Sequence, residues 1–387
     1  MINVLIVMPI STLDFGSKSS GGVDSVCQIL LDSIVKSNQV RFNYTIIAFN
    51  PYNDLVVEGK CTSLSKNLTI YQYNCKSKFK KTNISTPGIL YQNYIVWTFI
   101  NKIKPQIFHT HLPSWQALPR NKAITISTLH AYKKNGRSSV SKLNDLLYEK
   151  IIPTISNKNT NYYTTVSHKL KKSASDIKKP IRIIYNPLPD KYADADIRQE
   201  THKTFNHTNI VTCSNITKNK GVHHAVTVLH ELCQKNTNCH LHIIGELTNS
   251  EYQIKLIDQI QKLQLNNKVT FHGQLTTPEI LNIYKKSDYG IFLSAEETFG
   301  LVPLEMIACG LDVITTRVGI MDDLYEEFST FKIKIIENID ISEIANHIIE
   351  RKKSMLNEAR NYIVNKFTKD SITQQYESLY ESVISAK

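Results

Sequence analysis

Glycine is scarce in this chain, 13 residues of 387, where average usage is roughly 7%. The few that remain are informative, because Gly21, Gly22, Gly221, Gly245, Gly273, Gly300, Gly310 and Gly319 stand where strands end or helices begin or end. No G-x-G-x-x-G and no G-x-x-x-x-G-K occurs, which disfavours a nicotinamide-dinucleotide fold and a P-loop. No apolar run reaches bilayer length, so no membrane-spanning helix is expected. The N-terminus, MINVLIVMPI, lacks a basic n-region and a small-residue cleavage site. It reads as a buried first strand, and the expectation is a cytoplasmic protein. The seven cysteines are odd in number, scattered and without C-x-x-C spacing, which argues against structural zinc or a redox pair and for reduced thiols, several of them core filler.

What is present is ordinary for a soluble globular chain, with 41% apolar and 21% charged residues, and the length suits two domains. Charge is uneven. Residues 1–187 hold 25 Lys and Arg against 8 Asp and Glu, net +17, while residues 188–387 hold 21 against 26, net −5. Basic runs at Lys76 to Lys81, Lys133 to Arg137, His168 to Lys172 and Lys178-Lys179 make an anionic partner a reading to weigh beside a solvated lysine surface. Phosphate and anionic lipid headgroups fit. No aromatic-basic interleaving supports nucleic acid.

Short runs rich in Val and Ile recur, each followed by a turn and a segment of helical period. INVLIVMPI, YTIIAFN, IFHTHL, AITISTLH, YYTTVS and IRIIYNP form one series, and NIVTCSN, HLHIIGE, KVTFHG, YGIFLSA and DVITTRVG form another. Apolar strands alternating with helices imply parallel sheets covered on both faces, the doubly wound α/β class. Two series imply two similar domains. The polar segment Pro187 to Thr208, without apolar periodicity, is the linker candidate, which sets the first domain at 1–187.

Three places carry chemistry. Gly21-Gly22 opens a helix after the first strand, where free N–H groups can meet an anion or a sugar oxygen. Lys218 and Lys220 precede Gly221 and a helix, and Lys220, next to the glycine, suits a diphosphate. Around the turn Thr298-Phe299-Gly300-Leu301-Val302 lie Glu297 and Glu305, with Pro303 and Gly310 marking the start and stop of a helix. Carboxylates accept pairs of hydrogen bonds, as vicinal hydroxyls offer, and the N–H groups of the turn suit phosphate oxygens. Together these parts describe a sugar nucleotide. Glu296 reads as an ordinary loop acid, and no set of metal ligands lies nearby.

The stretch S-A-E-E-T-F-G-L-V-P-L-E-M-I-A-C-G-L-D-V-I-T-T, Ser294 to Thr316, resembles the E-x7-E signature of the retaining GT-B glycosyltransferases of family 4. The similarity extends in order along nearly the whole chain, through the Gly pair, FHTHL, TLHAY, VSHKLKK, IIYNPL, the Lys-Gly before a helix, LHIIGE, VTFHGQL and VGIMDDL. The resemblance implies two Rossmann-like domains facing across a cleft, an acceptor domain 1–187 and a donor domain 188–365, with a C-terminal helix, 366–387, returning to the first. It implies transfer with retention from a UDP- or GDP-sugar, without a required metal or other cofactor, to a glycan or a polyprenyl-diphosphate-linked acceptor. Lipopolysaccharide, O-antigen or capsule synthesis, peripherally at the inner face of the cell membrane, is the setting that fits.

The family's roles fall on residues of this chain. Glu305 would hold the ribose hydroxyls, and Glu297 with the N–H groups of Phe299, Gly300 and Leu301 would hold the donor sugar. Lys220 would neutralise the leaving diphosphate. His130 matches the histidine near the transferred sugar, and Gly22 would approach the donor phosphate or the acceptor. There are departures: Asn215 stands where the family commonly has arginine, His130-Ala131 where it has His-Asp, and Val318-Gly319 where it has Gly-Gly. Asn215 donates hydrogen bonds but balances no charge. Weaker donor binding, compensation by another basic residue and loss of activity all remain open. The second reading is a catalytically weak sugar-nucleotide-binding protein.

Overall fold

The computed structural model describes residues 1–15, 19–37, 39–76, 88–117, 122–132, 151–194, 207–247, 250–350 and 354–386. Except for Lys76, the basic runs at Lys76 to Lys81 and Lys133 to Arg137 lie outside these residues, as does 195–206 of the polar segment. The chain divides into two compact units, Met1–Pro187 with Lys369–Lys387, and Leu188–Thr368.

The first unit is built on an eight-stranded sheet. Its strands are β1 (Ile2–Pro9), β2 (Phe42–Asn50), β3 (Lys60–Ser65), β4 (Leu68–Asn74), β5 (Ile107–Thr110), β6 (Ile124–Leu129), β7 (Tyr162–Thr165) and β8 (Ile181–Ile183). They run in the order β3-β4-β2-β1-β5-β6-β7-β8, and only the edge strand β3 is antiparallel to its neighbour. Helices α1 (Gly22–Lys36), α2 (Gly88–Ile103), α3 (Ile152–Asn159) and α4 (His168–Ser173) accompany them. Five consecutive residues of β1, Val4 to Met8, are buried, as a strand covered on both faces requires. Alternation divides them: Leu5 and Val7 pack in a core that includes Val96, Phe99 and Ile100 of α2, while Ile6 and Met8 lie with Leu30 and Ile34 of α1. The VSHKLKK motif is a helix start, since the Ser167 hydroxyl accepts from the Leu170 N–H.

The C-terminal helix (Lys369–Ser385) belongs to this unit. The Lys369 ammonium meets Asp32 of α1 at 2.6 Å, Ser33 donates to Asp370 at 2.7 Å, and Tyr44 donates to Glu377 at 2.9 Å. Tyr376 and Tyr380 are buried against the sheet.

The second unit holds six parallel strands, β9 (Thr208–Cys213), β10 (Cys239–Ile244), β11 (Val269–Gly273), β12 (Tyr289–Phe292), β13 (Asp312–Thr316) and β14 (Lys334–Ile336). Their order is β11-β10-β9-β12-β13-β14. Helices α5 (Val222–Gln234), α6 (Glu251–Lys262), α7 (Thr277–Lys286), α8 (Leu301–Ala308) and α9 (Ile341–Ile349) flank them. Val222, Ala225, Val226, Leu229 and Leu232 of α5 recur at helical spacing and are buried against Ile210, Leu241 and Ile291 of the sheet. The strand order reverses direction between β9 and β12, and in open parallel sheets the carboxyl ends at that point leave a crevice for ligands. The thiols of Cys233 and Cys239 come within 3.8 Å of each other, a pairing that six-residue spacing does not announce.

Candidate active site

The loops that leave β9 and β12 are tied together at the reversal point of the second sheet. The Asn219 carbonyl accepts from the Ala295 N–H at 2.8 Å and from the Ser294 hydroxyl at 3.1 Å. Thr316, at the end of β13, donates to the Ser294 carbonyl at 2.6 Å. These bonds fix the strand ends on which Lys220 and Glu297 are mounted. A short 3-10 turn, Lys218–Lys220, closes on Gly221 with φ +68°. A Cβ at 221 would lie 2.0 Å from the Leu293 carbonyl oxygen, so only glycine lets the turn rest on β12.

Lys220 and Glu297 form an ion pair, Nζ to Oε1 at 2.6 Å, both largely withdrawn from solvent. The ammonium also lies 5.9 Å from the centre of the Phe292 ring. The Phe299 ring is buried and meets Phe367 edge-on at 6.2 Å, which anchors the turn. Gly300 caps α8 with φ +84°. Among the described residues the N–H groups of Gly300 and Leu301 have no hydrogen-bond acceptor. They point the positive end of α8 outward.

Glu305, one turn into α8, is half-buried, with Tyr192, Cys213, Tyr284 and Cys309 close enough to feel its charge. Burial pushes its carboxyl up to about 7. No cation among the described residues pairs with it. Asn215 is exposed on the loop after β9, where its carbonyl accepts from the Thr217 N–H. The four groups assigned to the donor from sequence, Lys220, Glu297, Glu305 and the start of α8, thus converge on one end of one sheet.

The Val318-Gly319 departure has a physical reading. Gly319 has φ +55°, and a Cβ there would lie 2.1 Å from the Phe299 carbonyl oxygen and 3.1 Å from the Glu297 Cβ. That carbonyl accepts from the Ile320 N–H at 2.7 Å. Val318 is simply buried. Gly319→Ala is therefore expected to cost about 2–3 kcal/mol of stability and to displace Glu297, whereas Val318→Gly leaves ligand binding near wild type. Melting temperature and nucleotide titration of the two variants check this.

In the first unit the strand ends carry a row of histidines. His130, after β6, is buried, and its Nε2 lies 3.1 Å from Nδ1 of His111, after β5. The rings stack at 5.4 Å. His109, within β5, bonds through Nδ1 to the Tyr380 hydroxyl at 2.6 Å and through Nε2 to Thr128 at 2.7 Å. Burial holds His130 down to about 4 and His109, with a smaller push from His130, down to about 3. His111 is held well below the ordinary range by burial and then by the other two rings. All three are neutral at pH 7.

Gly22 begins α1, and among the described residues outside its own helix and chain neighbours no atom lies within 4 Å of where its Cβ would stand, so these contacts do not demand glycine there. Asp24, two residues on, is, like His111, a residue that sequence reasoning missed. Its buried carboxylate accepts from the Ser11 N–H at 3.0 Å, the Ser20 N–H at 2.7 Å and the Gln28 amide at 2.9 Å. It binds the end of β1 to the start of α1. An acid in the first helical turn was the available signal.

Residues 194–369 match the family described as glycosyl transferases group 1. That segment belongs to it. N-acetyl-alpha-D-glucosaminyl L-malate synthase of Bacillus anthracis is 25% identical over 270 residues, covering 67% of this chain and 68% of that protein. The O-antigen biosynthesis glycosyltransferase WclY of Escherichia coli is 26% identical over 209 residues, 52% of this chain and 55% of that protein. This chain's match thus spans just over half of the second relative. Sucrose-phosphate synthase of Thermosynechococcus elongatus superposes with a TM-score of 0.74 at 15% identity, covering all of both chains, which shows the GT-B fold. The protein is a glycosyltransferase.

Proposed function

We propose that the protein transfers a sugar with retention from a UDP- or GDP-sugar to a glycan or lipid-linked acceptor, in the synthesis of O-antigen, lipopolysaccharide or capsule. The observation that carries this reading is the Lys220–Glu297 pair beside the open start of α8 and the Glu305 carboxyl. A cation and helix-end N–H groups receive a departing diphosphate, and carboxylates on either side receive hydroxyls. Lys220 and α8 carry the charge of the leaving group, which is the largest electrostatic demand of the reaction. Glu297 holds the transferred sugar, Glu305 the ribose, and Gly22 leaves room for the ligand at the start of α1. The O-antigen relative supports the setting, and the basic first unit supports an anionic membrane surface as the acceptor's location.

His130 serves the transferred sugar as a neutral imidazole in this proposal, and His111 decides which of its nitrogens carries the proton. His111→Ala is expected to lower kcat about tenfold, the worth of one hydrogen bond of roughly 1.4 kcal/mol, with KM little changed. His111→Asn, whose amide nitrogen reaches the place of Nδ1, should restore most of it. The 15N shifts of the His130 ring should change tautomer signature in the Ala variant and keep it in the Asn variant. An unaltered signature in both would remove His111 from the mechanism.

Asn215 motivates the second reading, a sugar-nucleotide binder of weak activity. Calorimetry against UDP-, GDP-, ADP- and CMP-sugars identifies the donor, and NMR of product formed from that donor with a panel of acceptors reads the anomeric outcome. Binding of a donor without transfer or donor hydrolysis favours the second reading. Binding of none removes both.

A further inference from the structure

Helix α2 presents two faces of different character. Ile89, Val96, Phe99 and Ile100 are buried in the core of the first unit. On the opposite stripe, at spacings of four and three, Leu90, Tyr94 and Trp97 are 58%, 48% and 44% exposed, and the Tyr94 and Trp97 rings stack at 6.3 Å. Three large apolar side chains at helical spacing on the outside of a helix mark an interaction surface. Val56 and Val57 extend it, 97% and 61% exposed, because the next residue, Glu58, accepts a hydrogen bond from Tyr91 of α2 at 2.7 Å.

The sequence that contains α2 carries charge of one sign. From Lys60 to Asn144 the chain carries fourteen Lys and Arg and no Asp or Glu. Among these, exposed Lys76 stands at the start of α2, where its Cγ lies 3.6 Å from the place of a Gly88 Cβ. Lys102 and Lys104 are exposed at the other end. The helix itself contains no acid, and Glu58 is engaged by Tyr91.

We propose that the outer stripe of α2, Leu90, Tyr94 and Trp97 with Lys76, Lys102 and Lys104 at its ends, is the surface by which the protein lies on an anionic lipid bilayer. Aromatic rings favour the interface between headgroups and acyl chains. A helix with an apolar face and flanking lysines lies in that plane, the lysines meeting anionic headgroups. The electrostatic part acts over a Debye length and collapses in high salt, and the apolar part does not. This deepens the membrane element of the function proposed above and takes its partner from it. The vesicle experiment needs no sugar donor, so failure of docking and failure of transfer are read separately.

The chain has two tryptophans, and Trp115 is buried at 2% exposure, so a change in tryptophan emission on adding vesicles reports Trp97. With vesicles of phosphatidylcholine and phosphatidylglycerol, emission is expected to shift to the blue and the protein to sediment with the lipid. Phosphatidylcholine alone should bind weakly, and 1 M salt should release most of the protein. Trp97→Ser should weaken sedimentation about tenfold, and Lys102→Glu with Lys104→Glu should do so more strongly at low salt. Both variants should retain the wild-type melting temperature and donor binding. Sedimentation of Trp97→Ser equal to wild type overturns the proposal. So does a concentration-dependent dimer in light scattering that Trp97→Ser abolishes, which would assign the stripe to a second copy.

Discussion

Glu297→Ala is expected to lower turnover by about 10²–10³ while leaving the affinity for free nucleoside diphosphate within a few-fold, and Lys220→Ala to weaken that affinity as well as turnover. The structure adds a condition that separate roles would not. The two side chains are bonded at 2.6 Å, so removing either frees the other to move and leaves a partly buried charge without its partner. The double variant should lose far less than the product of the single losses. A stability cost of about 1 kcal/mol accompanies each single change. Steady-state kinetics with calorimetry of the four members of the cycle measure this. Multiplicative losses would show two independent groups, and unchanged kinetics in all three variants would sink the site assignment.

The second large effect is one of pH. Burial raises the Glu305 carboxyl from 4.5 to about 7, and an ionised carboxylate is the form that accepts two ribose hydroxyls. Affinity for nucleotide is therefore expected to rise by up to about tenfold per pH unit from pH 5 to 7 and to level off above. Glu305→Gln should bind weakly and lose that dependence. The linked stability has the opposite slope. Because the folded value lies above the unfolded one, the unfolded chain releases its proton first, and stability is fully present below pH 4.5 and declines as pH rises towards 7. That loss is roughly 3 kcal/mol at most. Glu305→Gln escapes it, so the melting temperature of the variant should gain on wild type between pH 5 and pH 8. A parallel course of the two would show Glu305 ionised throughout.

Much of the candidate site was legible because its parts are close in sequence. Glu297, the Phe299-Gly300-Leu301 turn, Pro303 and Glu305 lie on one strand-turn-helix unit, where local rules for helix starts and glycine suffice. Lys220 and Gly221 were legible for the same reason. The pairing of Lys220 with Glu297 was not, since 77 residues separate them and only the placement of β9 beside β12 brings their loops together. His111 and Asp24 were missed on similar grounds. Each acts through a partner on another element, His130 after β6 or Ser11 after β1, and an alternating H-x-H or a lone first-turn acid does not state its partner. The outer stripe of α2 escaped notice because its apolar residues mimic core spacing, and which face of a helix is covered is settled by packing.

The sequence alone determined two parallel α/β units, the resemblance to a glycosyltransferase family and the residue types proposed to meet a nucleotide sugar, because strand periodicity, turn chemistry and the E-x7-E spacing are local properties of the chain. Tertiary structure decided which charges neutralise one another, which carboxyl is raised by burial, which histidines touch, and which apolar face remains outside. Those are properties of groups brought together from distant positions, governed by desolvation and by distances that strand order sets.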